Sequence, residues 1–246
     1  MVSTIRVAGL AVGTALLLTN CSSDGNDGQP IVGSGNVVEE PRPVAPFSSV
    51  ALSGMGTVFI RQGGTPSLTV RAEDNVIRFL RTEVLGGTLT ILGDPGVNLN
   101  PTRPIEFDVV VSDLTAITLD GIGRIEGANL VIDHLAIFAS GLGDIELHAI
   151  NLSDLDVRMD GIGNVRLSGS VDTQIISSTG LGMFDAPGLD SRVAEVTTAG
   201  FGSATVRVRE RLTVTIGGSG NVNYIGNAKI DLTDNGLGEL IHLTPR

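Results

Sequence analysis

The sequence predicts an all-β chain folded as a right-handed parallel β-helix, a β-solenoid with coils of about 20 residues. Three observations carry that expectation. A Gly-x-Gly unit recurs at a nearly constant interval, apolar residues hold fixed places around it, and the composition suits a chain that turns often. Glycine accounts for 33 of 246 residues, whereas charged residues make up 17% and aromatics 3%. Such a chain bends frequently and packs small aliphatic side chains.

The recurring units are DGIGRIE, SGLGDIE, DGIGNVR, TGLGMFD, AGFGSAT, GGSGNVN and NGLGELI. Their glycine pairs are Gly121 and Gly123, Gly141 and Gly143, Gly161 and Gly163, Gly180 and Gly182, Gly200 and Gly202, Gly218 and Gly220, and Gly236 and Gly238. Successive first glycines are separated by 20, 20, 19, 20, 18 and 18 residues, which is a structural period. Four places before the first glycine stand Ile117, Ile137, Val157, Ile176, Val196, Val214 and Leu232. Four places after it stand Ile125, Ile145, Val165, Phe184, Ala204, Val222 and Leu240. A third nearly apolar column lies between the glycines: Ile122, Leu142, Ile162, Leu181, Phe201, Ser219 and Leu237.

The flanks alternate apolar and polar, as in Leu155-Asp156-Val157-Arg158-Met159, and are rich in β-branched residues, so they read as short strands with one face inward. A helical repeat is the rival, but two glycines inside every unit would cost it about 1 kcal/mol apiece. Coils stacked about 4.8 Å apart place equivalent residues above one another. The paired glycines then mark corners, where the backbone needs positive φ or has no room for a Cβ.

Residues 33–111 are less regular and read as additional coils. Gly33-Ser34-Gly35-Asn36-Val37 echoes Gly218-Ser219-Gly220-Asn221-Val222, and Gly54-Met55-Gly56 precedes Val58-Phe59-Ile60 as the later pairs precede their strands. Asp74 to Val84 breaks the pattern and predicts a helical turn after an Asp cap, before Thr88 to Leu92 resumes as strand. An atypical first segment is what a solenoid needs to close its open end.

The N-terminus reads as an address. One cation, Arg6, precedes twelve uncharged residues from Val7 to Leu18, too few for a spanning helix of about 20. Residues 1–20 are expected to be a signal peptide. Cys21, the only cysteine, is the expected lipidation site, because Leu18-Thr19-Asn20-Cys21 resembles the lipobox of bacterial lipoproteins; Asn20 departs from the Gly, Ala or Ser that motif prefers. The alternative is an ordinary cleaved signal with an incidental cysteine. Residues 21–30 read as a lipidated N-terminus and flexible tether, and residues 31–246 as a single β-helix domain, irregular over 31–111 and regular over 112–246. Ser22-Ser23, with no aspartate after the cysteine, favours the outer over the inner membrane, with the orientation left open.

Without residues 1–20 the chain carries 15 basic and 27 acidic residues, a net charge of −12. That balance repels phosphate backbones and excludes nucleic acid as a partner. Contact with the membrane is expected through the lipid anchor alone. With one cysteine there is no disulfide framework and no thiolate metal site, and His134, His148 and His242 form no ligand pattern. No metal or cofactor is expected.

Longer segments carry a resemblance. PFSSVALSGMGTVFI (46–60), LTVRAEDNVI (68–77), TEVLGGTLTIL (82–92) and the glycine series to Asn235 resemble the bacterial "putative auto-transporter adhesin, head GIN domain" family of envelope lipoproteins. The resemblance implies a β-helix and adhesion, and supplies no catalytic residues.

One pair of residues keeps an enzymatic alternative open. Asp120 and Asp160 precede glycine pairs two coils apart, with Ser140 between them, a spacing of roughly 9–10 Å that suits an inverting carboxylate pair of a polysaccharide lyase or hydrolase. The same column continues as Thr179, Ala199 and Gly217, so turn-forming corner residues explain it as well. Beyond the glycines, Arg124, Asp144 and Asn164 read as a solvated mixed ladder. The expected function is therefore a non-catalytic binding or adhesin-like domain whose ligand is a glycan or protein surface. The alternatives are a polysaccharide-active enzyme and a structural envelope protein that forms homo-oligomers through its coil ends or flat faces.

Overall fold

The computed structural model describes residues 29–244. The expected signal peptide, Cys21 and most of the tether lie outside the described residues. From residue 116 onward the chain is a parallel β-solenoid, with a single 3₁₀ turn, Ile77–Phe79, elsewhere in the described residues. The solenoid makes about six turns.

One coil shows how the sequence sets the path. In Leu142–Met159 the buried residues are Ile145, Leu147, Ile150, Leu152, Leu155, Val157 and Met159. Alternation by two breaks to a step of three at 147–150 and again at 152–155. Each break switches the inward parity and marks a bend. With the Gly-x-Gly corner these bends divide the coil into three straight segments around a core. The first bend also shows in the backbone, where Asn129 (φ 57°), Ala149 (φ 53°) and Gly169 (φ 131°) occupy successive coils.

Both inward columns stack as the repeat predicts. Ile117 pairs with Ile137, Ile137 with Val157, Val157 with Ile176, Ile176 with Val196, Val196 with Val214 and Val214 with Leu232. Ile125, Ile145, Val165, Phe184, Ala204 and Val222 form the second buried column. The paired glycines are required by contact: a Cβ on Gly163 would lie 1.7 Å from the Gly143 carbonyl oxygen, and one on Gly143 1.7 Å from that of Gly123.

The N-terminal part departs from simple coils. Gly54-Met55-Gly56 is the first corner, in register with Gly121-Ile122-Gly123, and Met55–Gln62 pairs in parallel with Ile122–Ala128. Below it, Thr88–Gly93 and Glu106–Val111 pair in parallel with Ser49–Leu52 and Met55–Gln62. Ile31–Val32 pairs in parallel with Leu99–Asn100 as a separate two-stranded sheet, and three further pairings are antiparallel. Leu80–Leu85 folds back on Thr88–Gly93 through Gly86 (φ 58°) and Gly87 (φ 79°), a turn in which both central residues need positive φ. Ser67–Glu73 lies between Glu106–Val111 and Val37–Arg42, antiparallel to both. These strands close the end of the core.

Two expectations therefore need correction. The Gly33-Ser34-Gly35-Asn36 echo is not a stacked corner; it is a loop tied by side chains. Asp74 does not cap the 3₁₀ turn, whose N-cap is Val76 without a side-chain bond. The Asp74 carboxylate instead accepts from Ser34 Oγ (2.5 Å) and Asn36 Nδ2 (2.9 Å), holding that loop. A short polar side chain bonds whichever donors the tertiary fold brings nearest.

Two variants on one strand test the register. Val157 is fully buried between Ile137 and Ile176, so Val157→Asp should place an unpartnered charge in the core and cost several kcal/mol. Arg158, with 60% of its side chain exposed, should tolerate alanine within about 0.5 kcal/mol. Similar melting temperatures for the two variants would contradict the register. The corner contacts make a separate prediction. Gly163→Ala should cost about 3 kcal/mol or more, since neither carbonyl can move without opening the coil spacing. Gly64, where an added Cβ meets nothing within 4 Å, is the control and should accept alanine with little change in urea midpoint.

Candidate functional site

The third apolar column does not enter the core. Ile122 is 58% exposed, Leu142 48%, Ile162 56%, Leu181 55%, Phe201 73% and Leu237 86%. The residue between two stacked glycines sits on the convex side of the corner and projects into solvent. Stacking thus turns a repeated apolar residue into a row of exposed side chains running along the solenoid axis.

At its N-terminal end this row borders a groove of ≈ 680 Å³. One wall is formed by Met55, Ile122, Leu142 and Ile162, the other by Leu80, Val97 and Leu99 from the antiparallel cap and the loop after it. Gly54, Gly121, Gly141 and Gly161 run between them, and Asp120, Ser140, Asp160 and Ser53 supply the polar lining. The two aspartates and the intervening serine do share one groove, as their column predicts. The Asp160 carboxylate accepts a 2.5 Å bond from the Thr179 hydroxyl of the next coil. No lysine, arginine, histidine or aromatic ring lines this groove.

The mixed ladder on the other side of the corner is a network of side-chain bonds. Asp144 accepts from the Asn164 amide Nδ2 (2.8 Å) and backbone N–H (3.1 Å), and faces Arg166 at 3.5 Å and Arg124 at 3.6 Å. Partial burial pushes the Asp144 carboxyl up, but the Asn164 bonds and the Arg166 charge outweigh it and hold it below the ordinary aspartate range. Arg166 also donates to Glu146 at 2.9 Å. Every cation here has its acid, and partly exposed pairs of this kind contribute little each.

Glu73 is a second well-bonded carboxylate, 1% exposed. Burial pushes it up, yet bonds from the Thr102 hydroxyl and the backbone N–H groups of Gly35 and Thr102 hold it below the ordinary range. It joins the 33–36 loop to the 100–103 segment. The histidines stand apart. His134 contacts Asp154 at 2.9 Å, His148 lies 3.3 Å from Ser168 Oγ, and His242 stacks on Tyr224 with ring centroids 4.5 Å apart. Among the described residues no three His, Cys, Asp or Glu side chains stand together as a metal site would require. No helix among them is long and apolar enough to cross a membrane.

The second wall of the groove was not readable from the repeat. Leu80, Val97 and Leu99 lie outside the glycine series, and only the closing of the cap against the first corners brings them there. Met55 carried a signal, since it occupies the middle of the Gly-x-Gly that forms the first stacked corner, but nothing in the repeat told that its column faces outward.

Solved structures share this architecture. A "putative adhesin" from Bacteroides fragilis superposes with a TM-score of 0.83 at 22% identity, covering 87% of this chain and 100% of the other. A "putative lipid binding protein" from Parabacteroides distasonis gives 0.68 at 20% identity, with coverage of 87% and 100%. A "putative adhesin" from Parabacteroides merdae gives 0.62 at 17%, with coverage of 87% and 98%. At these identities the likeness is one of fold. Comparison with curated proteins finds no match. The family model described as "Putative auto-transporter adhesin, head GIN domain" matches residues 46–228, which include the first corner, the cap strands after Val37–Arg42 and all but the last coil, and the chain belongs to that family.

Proposed function

We propose that the protein is an envelope lipoprotein, anchored through acylated Cys21 at the outer membrane, whose β-solenoid binds a ligand and catalyses no reaction. The composition of the main groove carries the binding reading. Two aspartates and two serines meet aliphatic side chains there, an amphiphilic lining of the kind that holds a ligand. Family membership supports a place at the cell envelope or surface, and two fold neighbours are described as a "putative adhesin" and a "putative lipid binding protein", which is in keeping with binding. Several acyl chains, each buried CH₂ adding about 0.8 kcal/mol, would hold such a domain at a membrane stably.

The anchor has a direct test. Cys21→Ser should convert a protein that sediments with membranes and needs detergent into one released in soluble form. Unchanged membrane fractionation, with no acyl group on the mature N-terminus, would sink the lipoprotein reading.

A polysaccharide-active enzyme is the second reading, favoured by one observation: Asp120 and Asp160 line the same groove. Against it, Asp160 is already engaged by Thr179, as a corner ladder requires. Purified protein is expected to bind a ligand saturably and to cleave none of a polysaccharide panel. Cleavage that falls by about 10²–10⁴-fold for each Asp→Asn change at 120 and 160 would replace the binding reading with the enzymatic one.

A further inference from the structure

We propose that the groove along the first corners holds the alkyl chain of an amphiphile whose head group is cationic or neutral, with the head against the column of Asp120, Ser140 and Asp160. This rests on the binding reading above and gives it a site and a ligand class.

Shape is the first argument. Met55, Ile122, Leu142 and Ile162 stand one per coil, in register, so the apolar wall runs roughly 14 Å along the axis at about 4.8 Å per coil. Leu80, Val97 and Leu99 line the same groove. The volume of ≈ 680 Å³ falls within the range of about 300–1,000 Å³ usual for small-molecule sites. A groove whose apolar row runs that far along the axis suits an unbranched chain.

Backbone accounting is the second argument, and it disfavours a peptide. Gly121 and Ile122 donate to the carbonyls of Leu52 and Gly54, Gly141 and Leu142 to those of Leu119 and Gly121, and Gly161 and Ile162 to those of Ala139 and Gly141. The corner N–H groups are therefore spent between coils, and an added strand would find no ladder to join. A strand's same-face residues also repeat at about 6.6 Å, out of step with a wall that repeats at about 4.8 Å. An alkyl chain has no polar groups to satisfy and no period to match.

Chemistry of the lining sets the head group. With no aromatic ring in the groove, nothing offers a sugar ring a flat apolar face. Asp120 and Asp160, on a chain of net charge −11, repel an anionic head and attract a cation or accept bonds from hydroxyls.

The test uses full-length Cys21→Ser protein purified without detergent, titrated calorimetrically with dodecyltrimethylammonium, dodecyl maltoside and laurate below their micellar concentrations. Saturable one-site binding is expected for the first two, with laurate at least about tenfold weaker. Each methylene added to a shorter alkyl chain should tighten binding about three- to fourfold until the groove is full. Leu142→Ser, at an exposed position, should weaken dodecyl maltoside about tenfold or more with an unchanged melting temperature. Asp120→Asn with Asp160→Asn should narrow the gap between the cation and laurate. Phe201→Ser, on the same row but outside the groove, is the positional control. Equal losses for Phe201→Ser and Leu142→Ser would mean that a bilayer or a second copy covers the whole row, and would overturn the groove assignment. So would a concentration-dependent dimer that Leu142→Ser abolishes. If none of the three amphiphiles binds while an array shows another saturable ligand, the alkyl assignment falls and the binding reading stands.

Discussion

At each corner of the solenoid, the carbonyl oxygen of one glycine occupies the place where the next glycine's Cβ would be. The clash distance for Gly163, Gly182 and Gly202 is 1.7, 1.7 and 1.8 Å. This single steric requirement explains why both outer positions of the unit are glycine while the middle one varies. It also sets the register, because only glycine fits over the corner carbonyl of the preceding coil at strand spacing. Once register is set, every inward residue falls on its counterpart, and the buried columns form without further choice.

The outward row is the by-product of the same geometry. A chain that turns between two glycines points the residue between them away from the core, whatever that residue is. Leu181 and Phe201 are therefore exposed because of where they lie, although their chemistry would place them inside. Exposed apolar surface on this scale is maintained against a solubility cost and commonly marks an interaction site. The polar partners of that surface come from the neighbouring column, Asp120, Ser140, Asp160 and Thr179, so one corner supplies both an aliphatic edge and a hydrogen-bonding one.

Solenoids must also end. The N-terminal end is closed by antiparallel strands, with Glu73 and Asp74 fastening the 33–36 loop across it. At the C-terminal end of the described residues no strand pairs beyond Lys229–Asp234, and Leu232, whose counterparts are fully buried, is 45% exposed. His242 stacked on Tyr224 covers part of that end with aromatic surface, on a strand whose earlier members, Ala186 and Val206, are buried aliphatics. The asymmetry matters for function, since the cap at one end also provides the second wall of the groove.

The amino-acid sequence by itself determined the solenoid, its period, its corners and both buried columns, because a repeat converts local spacing directly into stacking. Val157 could be placed between Ile137 and Ile176 by counting residues. Asp120 and Asp160 could be placed in one column in the same way. Only the tertiary structure decided which way the third column faces, because apolar character at Ile122 or Leu142 is equally compatible with a core position and with a convex corner. It also decided the antiparallel cap, where Gly33-Ser34-Gly35 mimics a corner in sequence but bonds Glu73, Asp74 and Asn75 in space. Leu80, Val97 and Leu99 reach the groove through contacts between segments that share no period with the coils. Spacing along the chain carries no information about such contacts, which depend on how one folded surface closes against another.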